Sequence, residues 1–212
     1  MAKRSWMRPI GAWAIGLMLI VAPAAAQEKT KDSPKDEKPS GETAKSDAPK
    51  TDAPSAEIEK AAPDFELKGT DGKTYKLSEL KEKTVILEWI SKDCPTCKQQ
   101  KSQMKDTAEA LAKKGAVWLA IDSTGNRKPE DNVAYVKDNK LPYQILDDSA
   151  GVVGRAYGAK RTPTMYVIHK GKLVYKGALI PQKGDERNYV TEVVEAVSAG
   201  KEPPVKQTDA YG

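Results

Sequence analysis

The stretch TVILEWISKDCPTCKQQ, residues 84–100, decides the fold of this chain. Its first seven residues form a nearly continuous apolar run of β-formers, which predicts a strand buried on both faces. From Pro95 to about residue 114 the sequence lacks glycine and is rich in helix formers, and proline suits the first turn of a helix. The stretch therefore predicts a strand, a short loop and a helix. Cys94 and Cys97, the two cysteines of the chain, fall at the start of that helix.

Strand and helix patterns alternate along the rest of the predicted domain. Ahead of the opening stretch, two β-rich runs flank Asp71-Gly72, a dipeptide typical of a hairpin turn. After it come two more strand patterns, a helix, a short helical turn, a hairpin across Lys170–Lys172, and a last helix over 185–200. Alternation favours parallel strands, and the hairpins add antiparallel ones. The sequence therefore predicts an α/β fold with a mixed central β-sheet, helices on both faces and an N-terminal β-hairpin extension.

Residues 1–26 have the pattern of a secretory signal peptide. Basic residues precede an apolar run over 10–21, and small residues at positions 24 and 26 predict cleavage before Gln27. The alternative is an uncleaved membrane anchor, for which the apolar run is rather short. We therefore expect a periplasmic or secreted protein that meets the membrane only transiently, through its signal peptide.

Composition divides the remainder into a linker, one domain and a tail. Residues 27–62 are rich in Lys, Pro, Ala and Asp and poor in apolar side chains, so we predict a disordered linker. Residues 63–204 have the length of a single domain, and residues 205–212 are predicted to form an irregular C-terminal tail. Without its first 26 residues the chain has 32 basic and 30 acidic residues, a net charge of +2 rather than +5. This balance provides no basic surface for nucleic acid.

Four roles can be weighed for two cysteines at C-x-x-C spacing. A disulfide across so short a loop adds little stability. A zinc site needs four ligands, and the chain offers two thiols and one histidine, His169. A haem anchor has histidine after the second cysteine, where this chain has Lys98. Redox chemistry fits better, because N–H groups at a helix start favour a thiolate at Cys94, and Cys97, one turn further on, can resolve a mixed disulfide.

The domain resembles the thioredoxin-like superfamily, and within it the redoxin branch of AhpC/TSA-like and TlpA/ResA-like proteins. The resemblance covers about residues 62–200. It implies a thioredoxin fold and a thiol–disulfide oxidoreductase that acts on protein dithiols and disulfides, is reset by a membrane or periplasmic redox partner, and uses no cofactor or metal. Four segments carry it: APDFELKGTDGKTYKLSEL as an N-terminal extension, ILEWISKDCPTCK as strand, C-x-x-C and helix, YGAKRTPTMYVI as the segment with a cis-proline, and GKLVYKGAL as the closing hairpin.

The same resemblance assigns substrate-binding residues. Pro163, after Thr162, matches the cis-proline of the superfamily, which faces the cysteine pair and lets the neighbouring backbone bind substrate as an added strand. Pro95 and Thr96, between the two cysteines, are expected to contact substrate as well and to influence the redox potential.

Two carboxylates near the cysteine pair are expected to affect its chemistry in different ways. Glu88, six residues before Cys94, matches a buried acid that relays protons in thioredoxins, and burial would bring its pKa towards neutrality. A solvated glutamate at this position is the alternative. Asp93 departs from the family pattern, because a carboxylate next to Cys94 should raise the thiol pKa, although Lys92 and Lys98 can offset it. The direction of the redox reaction therefore stays open.

Two other functions stay open at this point. The nearest is a thiol peroxidase of the peroxiredoxin type, whose motif is P-x-x-x-[ST]-x-x-C. Ser91 matches its hydroxyl residue, Leu87 replaces its proline, and Arg155 or Arg161 could supply a pocket arginine. The other is a Sco-like copper-binding chaperone, which combines C-x-x-x-C with a distal histidine. The cysteine spacing here is shorter, and His169 is the one histidine available.

Overall fold

The computed structural model describes residues 56–184 and 186–212. The predicted signal peptide, and the predicted linker as far as residue 55, lie outside the described residues. The described elements, in chain order, are β1 (Glu66–Gly69), β2 (Thr74–Lys76), a short 3₁₀-helix (Leu77–Leu80), β3 (Thr84–Trp89), α1 (Pro95–Ala112), β4 (Val117–Asp122), α2 (Pro129–Asn139), β5 (Gln144–Asp147), α3 (Val152–Tyr157), β6 (Thr164–His169), β7 (Lys172–Gly177) and α4 (Tyr189–Ser198). In this part of the chain no helix is long and apolar enough to cross a membrane.

All seven strands belong to one mixed sheet in the order β2-β1-β5-β4-β3-β6-β7. Strands β3, β4 and β5 run parallel, as expected for strands joined by helices. The β1–β2 hairpin lies on one side of these strands, where β1 pairs antiparallel with β5. The β6–β7 hairpin lies on the other side, where β6 pairs antiparallel with β3. The predicted α/β class and mixed sheet are confirmed. The parallel register places the carboxyl ends of β3 and β4 side by side.

Apolar side chains cover both faces of this sheet. On one face, residues of α1 and α4 pack on the sheet around Ile86 and Met165, with part of α2 at the margin. On the other face, α3, the 3₁₀-helix and the segment before β1 pack around Leu87 and Tyr166. Strand β3 is buried along almost its whole length because it lies between these two layers, which explains its near-continuous apolar sequence.

The packed part of the chain includes residues 56–62, which were predicted as the end of the linker. Ala56 is buried and its N–H donates to the carbonyl of Ala156 at 2.9 Å, while the N–H of Glu59 donates to Leu173 at 2.7 Å. These are largely backbone contacts to the sheet and α3. A composition argument counts apolar side chains, so it does not detect a segment held by backbone hydrogen bonds.

Residues 205–212 contain neither helix nor regular strand, but they lie along β7. The N–H of Thr208 donates to the carbonyl of Lys176 at 3.1 Å, beside an isolated parallel bridge. Further on, the hydroxyl of Tyr211 accepts a hydrogen bond from Nε2 of Gln100 at 3.0 Å. The tail therefore runs from the edge of the sheet to the first turns of α1.

Candidate redox site

Cys94 is the N-cap residue of α1, directly after the loop that follows β3. Its backbone is extended, and Pro95 begins the helix, as the sequence predicts. The Cys94 Sγ atom accepts a hydrogen bond from the N–H of Cys97 at 3.1 Å. It also lies 3.0 Å from the carbonyl oxygen of Thr162, to which the protonated thiol donates. A sulfur in this position receives the positive end of the helix dipole as well as a direct N–H.

The two thiols differ strongly in their environment. Burial disfavours the Cys94 thiolate, but hydrogen bonds from the side chains of Cys97 and Thr162 and from the backbone of Cys97 and Thr96 outweigh it, so the pKa of Cys94 lies below its usual value. Cys97 is almost completely buried, and burial, followed by the proximity of Cys94, places its pKa well above its usual value. Both are free thiols. Cys94 is therefore the thiol that ionises first.

The turn before β6 lies beside this pair. The peptide bond between Thr162 and Pro163 is cis, Pro163 is buried and Thr162 is half-buried. Strand β6 pairs with β3 so that Thr164 lies opposite Trp89. This register carries the turn to the same end of the sheet as Cys94. The structure thus brings together the two predicted cysteines and the two predicted residues of the turn, which are far apart in sequence.

Pro95 and Thr96 form the outer side of the same site. Pro95 is exposed at the first position of α1, and Thr96 is half-buried next to it. A shallow cavity of about 360 Å³ opens alongside, between the ends of β3 and β4 and the turn at Thr162. Its lining includes Ser91, Thr124 and Arg161, which make its mouth polar, and also Gly212 of the tail.

Glu88 lies inside the sheet beneath the cysteines and is completely buried. Its Oε2 atom accepts a hydrogen bond from the indole N–H of Trp118 at 2.9 Å. Burial raises the pKa of Glu88 to about 7, while the indole hydrogen bond works in the opposite direction. The charge of an ionised Glu88 contributes to the raised pKa of Cys97. A buried carboxyl group that titrates near neutrality, within electrostatic reach of the resolving thiol, is suited to exchange a proton with it.

Asp93 has a partner that sequence reasoning missed. Its Oδ1 accepts from Nζ of Lys92 at 3.0 Å, and its Oδ2 accepts from both terminal nitrogens of Arg127, each at 3.1 Å. Hydrogen bonds from Lys92 and Arg127 hold the pKa of Asp93 below its usual value. Arg127 comes from the loop between β4 and α2. Because the carboxyl ends of parallel neighbours meet at one edge, the position of this loop after β4 was the signal that could have indicated it.

The residues considered for the alternative functions are more scattered. Of the two arginines considered for a peroxide pocket, Arg161 lines the cavity, and Arg155 instead donates to the carbonyl of Ala150 on the α3 side. His169 bonds Thr84 at the start of β3, the end opposite to the cysteines. Within residues 56–184 and 186–212, no group of three or more His, Cys, Asp and Glu side chains is placed to hold a metal ion.

A mixed sheet with a C-x-x-C pair at the start of a helix, facing a cis-proline turn, defines a thioredoxin-fold protein of the redoxin branch. The AhpC/TSA family model matches residues 58–176, which is more than half of the chain. The chain therefore belongs to the AhpC/TSA family, and the predicted superfamily and branch are confirmed.

Three known proteins illustrate this relationship. Peroxiredoxin Q of Populus jackii chloroplasts is 30% identical over 135 residues, which cover 58% of this chain and 62% of that protein. The thiol-disulfide oxidoreductase ResA of Bacillus thuringiensis subsp. konkukian (strain 97-27) is 29% identical over 119 residues, covering 56% and 68%. The crystal structure of the exposed lipoprotein thioredoxin of Streptococcus pneumoniae strain TIGR4 superposes with a TM-score of 0.53 and 29% identity, covering 62% of this chain and 98% of that one. The chain thus spans less than two thirds of the plant relative, and these comparisons include both a peroxidase name and a disulfide-exchange name.

Proposed function

We propose that this protein exchanges thiols and disulfides with other proteins through Cys94 and Cys97. The observation that carries the proposal is the contrast between the two sulfurs. Both thiols are buried, but one caps a helix, is 8% exposed and has its pKa lowered, and the other, one turn further on, is 1% exposed and has its pKa raised. An exchange enzyme needs an attacking thiolate and a delayed resolving thiol, and this pair provides both.

In the reducing direction, the Cys94 thiolate attacks one sulfur of a substrate disulfide. A mixed disulfide forms between Cys94 and that sulfur, and the other substrate sulfur leaves as a thiolate. Cys97 then loses its proton to the carboxylate of Glu88 and attacks the Cys94 sulfur. The second substrate thiolate leaves, and two electrons have passed from the cysteine pair to the substrate. The reverse sequence oxidises a substrate dithiol.

The substrate chain is proposed to lie in the cavity beside the Thr162–Pro163 turn, in contact with Pro95 and Thr96. In this proposal an extended chain adds at the sheet end through the Thr162 carbonyl, after it displaces Gly212, which packs against that carbonyl, and once the Cys94 thiol is ionised and no longer donates to it. A membrane or periplasmic redox partner is proposed to reset the pair, consistent with export through the signal peptide predicted over residues 1–26.

The test follows the covalent intermediate. A Cys97→Ser variant mixed with a peptide disulfide is expected to accumulate one mixed disulfide on Cys94, visible by mass spectrometry and released by dithiothreitol. A Cys94→Ser variant is expected to form none, because the buried Cys97 thiol is not accessible. A double-serine protein with full disulfide-exchange activity would show that the proposed function is wrong.

A peroxidase is the second candidate, favoured by the AhpC/TSA membership and by Ser91, three residues before Cys94, whose hydroxyl accepts a hydrogen bond from Arg127. In that reaction the Cys94 thiolate attacks one oxygen of a hydroperoxide, giving a sulfenic acid and releasing an alcohol or water. Cys97 then displaces the sulfenic oxygen as water and forms the disulfide. Parallel assays with hydrogen peroxide and with a peptide disulfide distinguish the two. Faster oxidation of the pair by peroxide than by the disulfide would favour the peroxidase.

A further inference from the structure

Arg127 forms a buried ion pair at the end of β4. Its side chain is only 8% exposed, and Nε donates to Oδ2 of Asp122, itself 1% exposed, at 3.2 Å. The Asp122 carboxylate also accepts from the N–H of Thr124 at 2.9 Å and from Nδ2 of Asn132 at 3.1 Å. Three donors hold this carboxylate in place, so the inner edge of the guanidinium is fixed to the end of the strand.

The outer edge of the same guanidinium reaches the redox loop. Both terminal nitrogens donate to Oδ2 of Asp93 at 3.1 Å, and one of them donates to Oγ of Ser91 at 3.3 Å. These contacts fall on the loop between β3 and α1, whose last residue is Asp93, directly before Cys94. One side chain therefore joins the end of β4 to the segment that positions the nucleophile.

The contact between Arg127 and Asp93 also offsets a negative charge beside Cys94. Asp93 is exposed, and an unpaired carboxylate next to Cys94 would oppose formation of the thiolate. Lys92 contacts the same carboxylate, but its side chain is partly exposed, and such surface pairs are weak. Arg127 has little freedom because Asp122 holds its other edge. Both partners lower the pKa of Asp93, with the hydrogen bond from Lys92 as the larger cause, but Arg127 is the partner that also ties Asp93 to the end of β4.

We infer that Arg127 is a positioning residue for Cys94: it fixes the loop over residues 91–93 against the end of β4 and pairs with the carboxylate of Asp93, sharing its single positive charge between Asp93 and Asp122. This inference rests on the proposed function, in which Cys94 is the attacking thiol. Arg127 touches neither sulfur in the structure and acts through Asp93 and Ser91. Its loss should therefore change the ionisation of Cys94 without removing any group that reacts.

The ionisable groups around Cys94 determine how the test is designed. The loop before α1 contributes Lys92 and Asp93, α1 contributes Cys97, and β3 contributes Glu88 from below. Helix α2 contributes Tyr135, whose pKa burial, followed by the nearby Cys97, raises to about 12. A Cys97→Ser background removes one of these groups and leaves Cys94 as the sole thiol of the chain.

In that background, the rate of Cys94 alkylation by iodoacetamide is measured from pH 4 to pH 10. Arg127→Gln is expected to slow the reaction at pH 7 by about threefold to tenfold, because the released Asp93 charge raises the Cys94 pKa by about half a unit to one unit. Combining it with Asp93→Asn is expected to bring the rate back to within about twofold of the background rate. Arg155→Gln, an exposed arginine on the α3 side, is the matched control and should leave the profile unchanged.

Circular dichroism and thermal unfolding identify which variants are folded. A folded Arg127→Gln protein with an unchanged pH profile would overturn the inference, and so would a double variant as slow as the single one. If Arg127→Gln does not fold, Arg127→Lys decides the question. A lysine has one charged nitrogen and cannot span Asp122 and Asp93, so slower alkylation is expected and the background rate would overturn the inference. These readouts require no disulfide substrate, so they are separate from the test of the proposed function.

Discussion

Replacing Glu88 with glutamine is expected to stabilise the protein at alkaline pH and to leave its stability nearly unchanged at pH 4. The side chain is completely buried in the sheet, and burial raises its pKa from 4.5 to about 7 despite the hydrogen bond from Trp118. Glutamine has almost the same shape, and its amide oxygen can accept the same indole hydrogen bond. The variant therefore keeps the packing and removes the charge that forms in the wild type.

The magnitude follows from the two pKa values of Glu88. Because the pKa in the folded state is above that in the unfolded state, the folded protein binds the proton more tightly. The resulting stability is fully present below pH 4.5 and is lost as the pH rises through about 7. The gap of about 2.5 units, at about 1.36 kcal/mol each, corresponds to a loss of roughly 3 kcal/mol in the wild type at pH 9. Glu88→Gln should not show this loss.

Urea unfolding followed by tryptophan fluorescence at pH 4 and pH 9 measures the difference. The wild type and Glu88→Gln should differ by less than about 1 kcal/mol at pH 4 and by roughly 3 kcal/mol at pH 9. Glu82→Gln, at an exposed glutamate just before β3, is the matched control and should show the same small difference at both pH values. A Glu88→Gln effect of equal size at pH 4 and pH 9 would refute the reasoning, because the carboxyl group would then not titrate between them.

Three further substitutions test the packing and the contacts of the fold by the same urea method. Met165→Ala, at a completely buried position of β6, is expected to lower the unfolding free energy by about 2–5 kcal/mol through the cavity it leaves. Asp148→Asn removes the charge of a buried carboxylate that accepts a hydrogen bond from the N–H of Gly154 at 2.8 Å, at the start of α3. The unfolding free energy is expected to fall by about 1–3 kcal/mol. Tyr211→Phe removes the hydroxyl that joins the tail to α1, and hydrogen exchange at the Thr208 amide is expected to become faster while global stability falls by about 1 kcal/mol.

The elements that the sequence predicted well are those with local physical signals. Helix α1 begins at Pro95, as predicted, because proline and the cysteine N-cap favour a helix start at that point. The hairpin at Asp71-Gly72 forms for a similarly local reason, with Gly72 at a positive φ of 80°. Strand β3 was recognisable because burial on both faces requires a continuous apolar run. In each case the sequence signal lies within a few consecutive residues.

The features that were missed depend on contacts between distant segments. Arg127 and Asp93 are 34 positions apart, with a helix and a strand between them, so the sequence indicates only that their two loops meet at one edge of the sheet and not that these side chains pair. Residues 56–62 and the tail are held largely through backbone groups, which composition does not reveal. Glu88 is an intermediate case. Strand alternation placed it on the face of Ile86, but whether that face excludes water at this point depends on Trp118 from the next strand.

One helix end gives the two cysteines opposite properties. Cys94 caps the helix and receives the N–H of Cys97, whereas Cys97, three residues on, points into the core above Glu88. The same geometry that favours a thiolate at the first position therefore disfavours it at the second, so in the proposed exchange the second attack has to wait for a base. A carboxyl group with a pKa of about 7 can take that proton near neutral pH, and its burial keeps water from competing. Asp93 opposes the first step only if it is unpaired, and because Arg127 holds it, a carboxylate beside the nucleophile is compatible with this order of events.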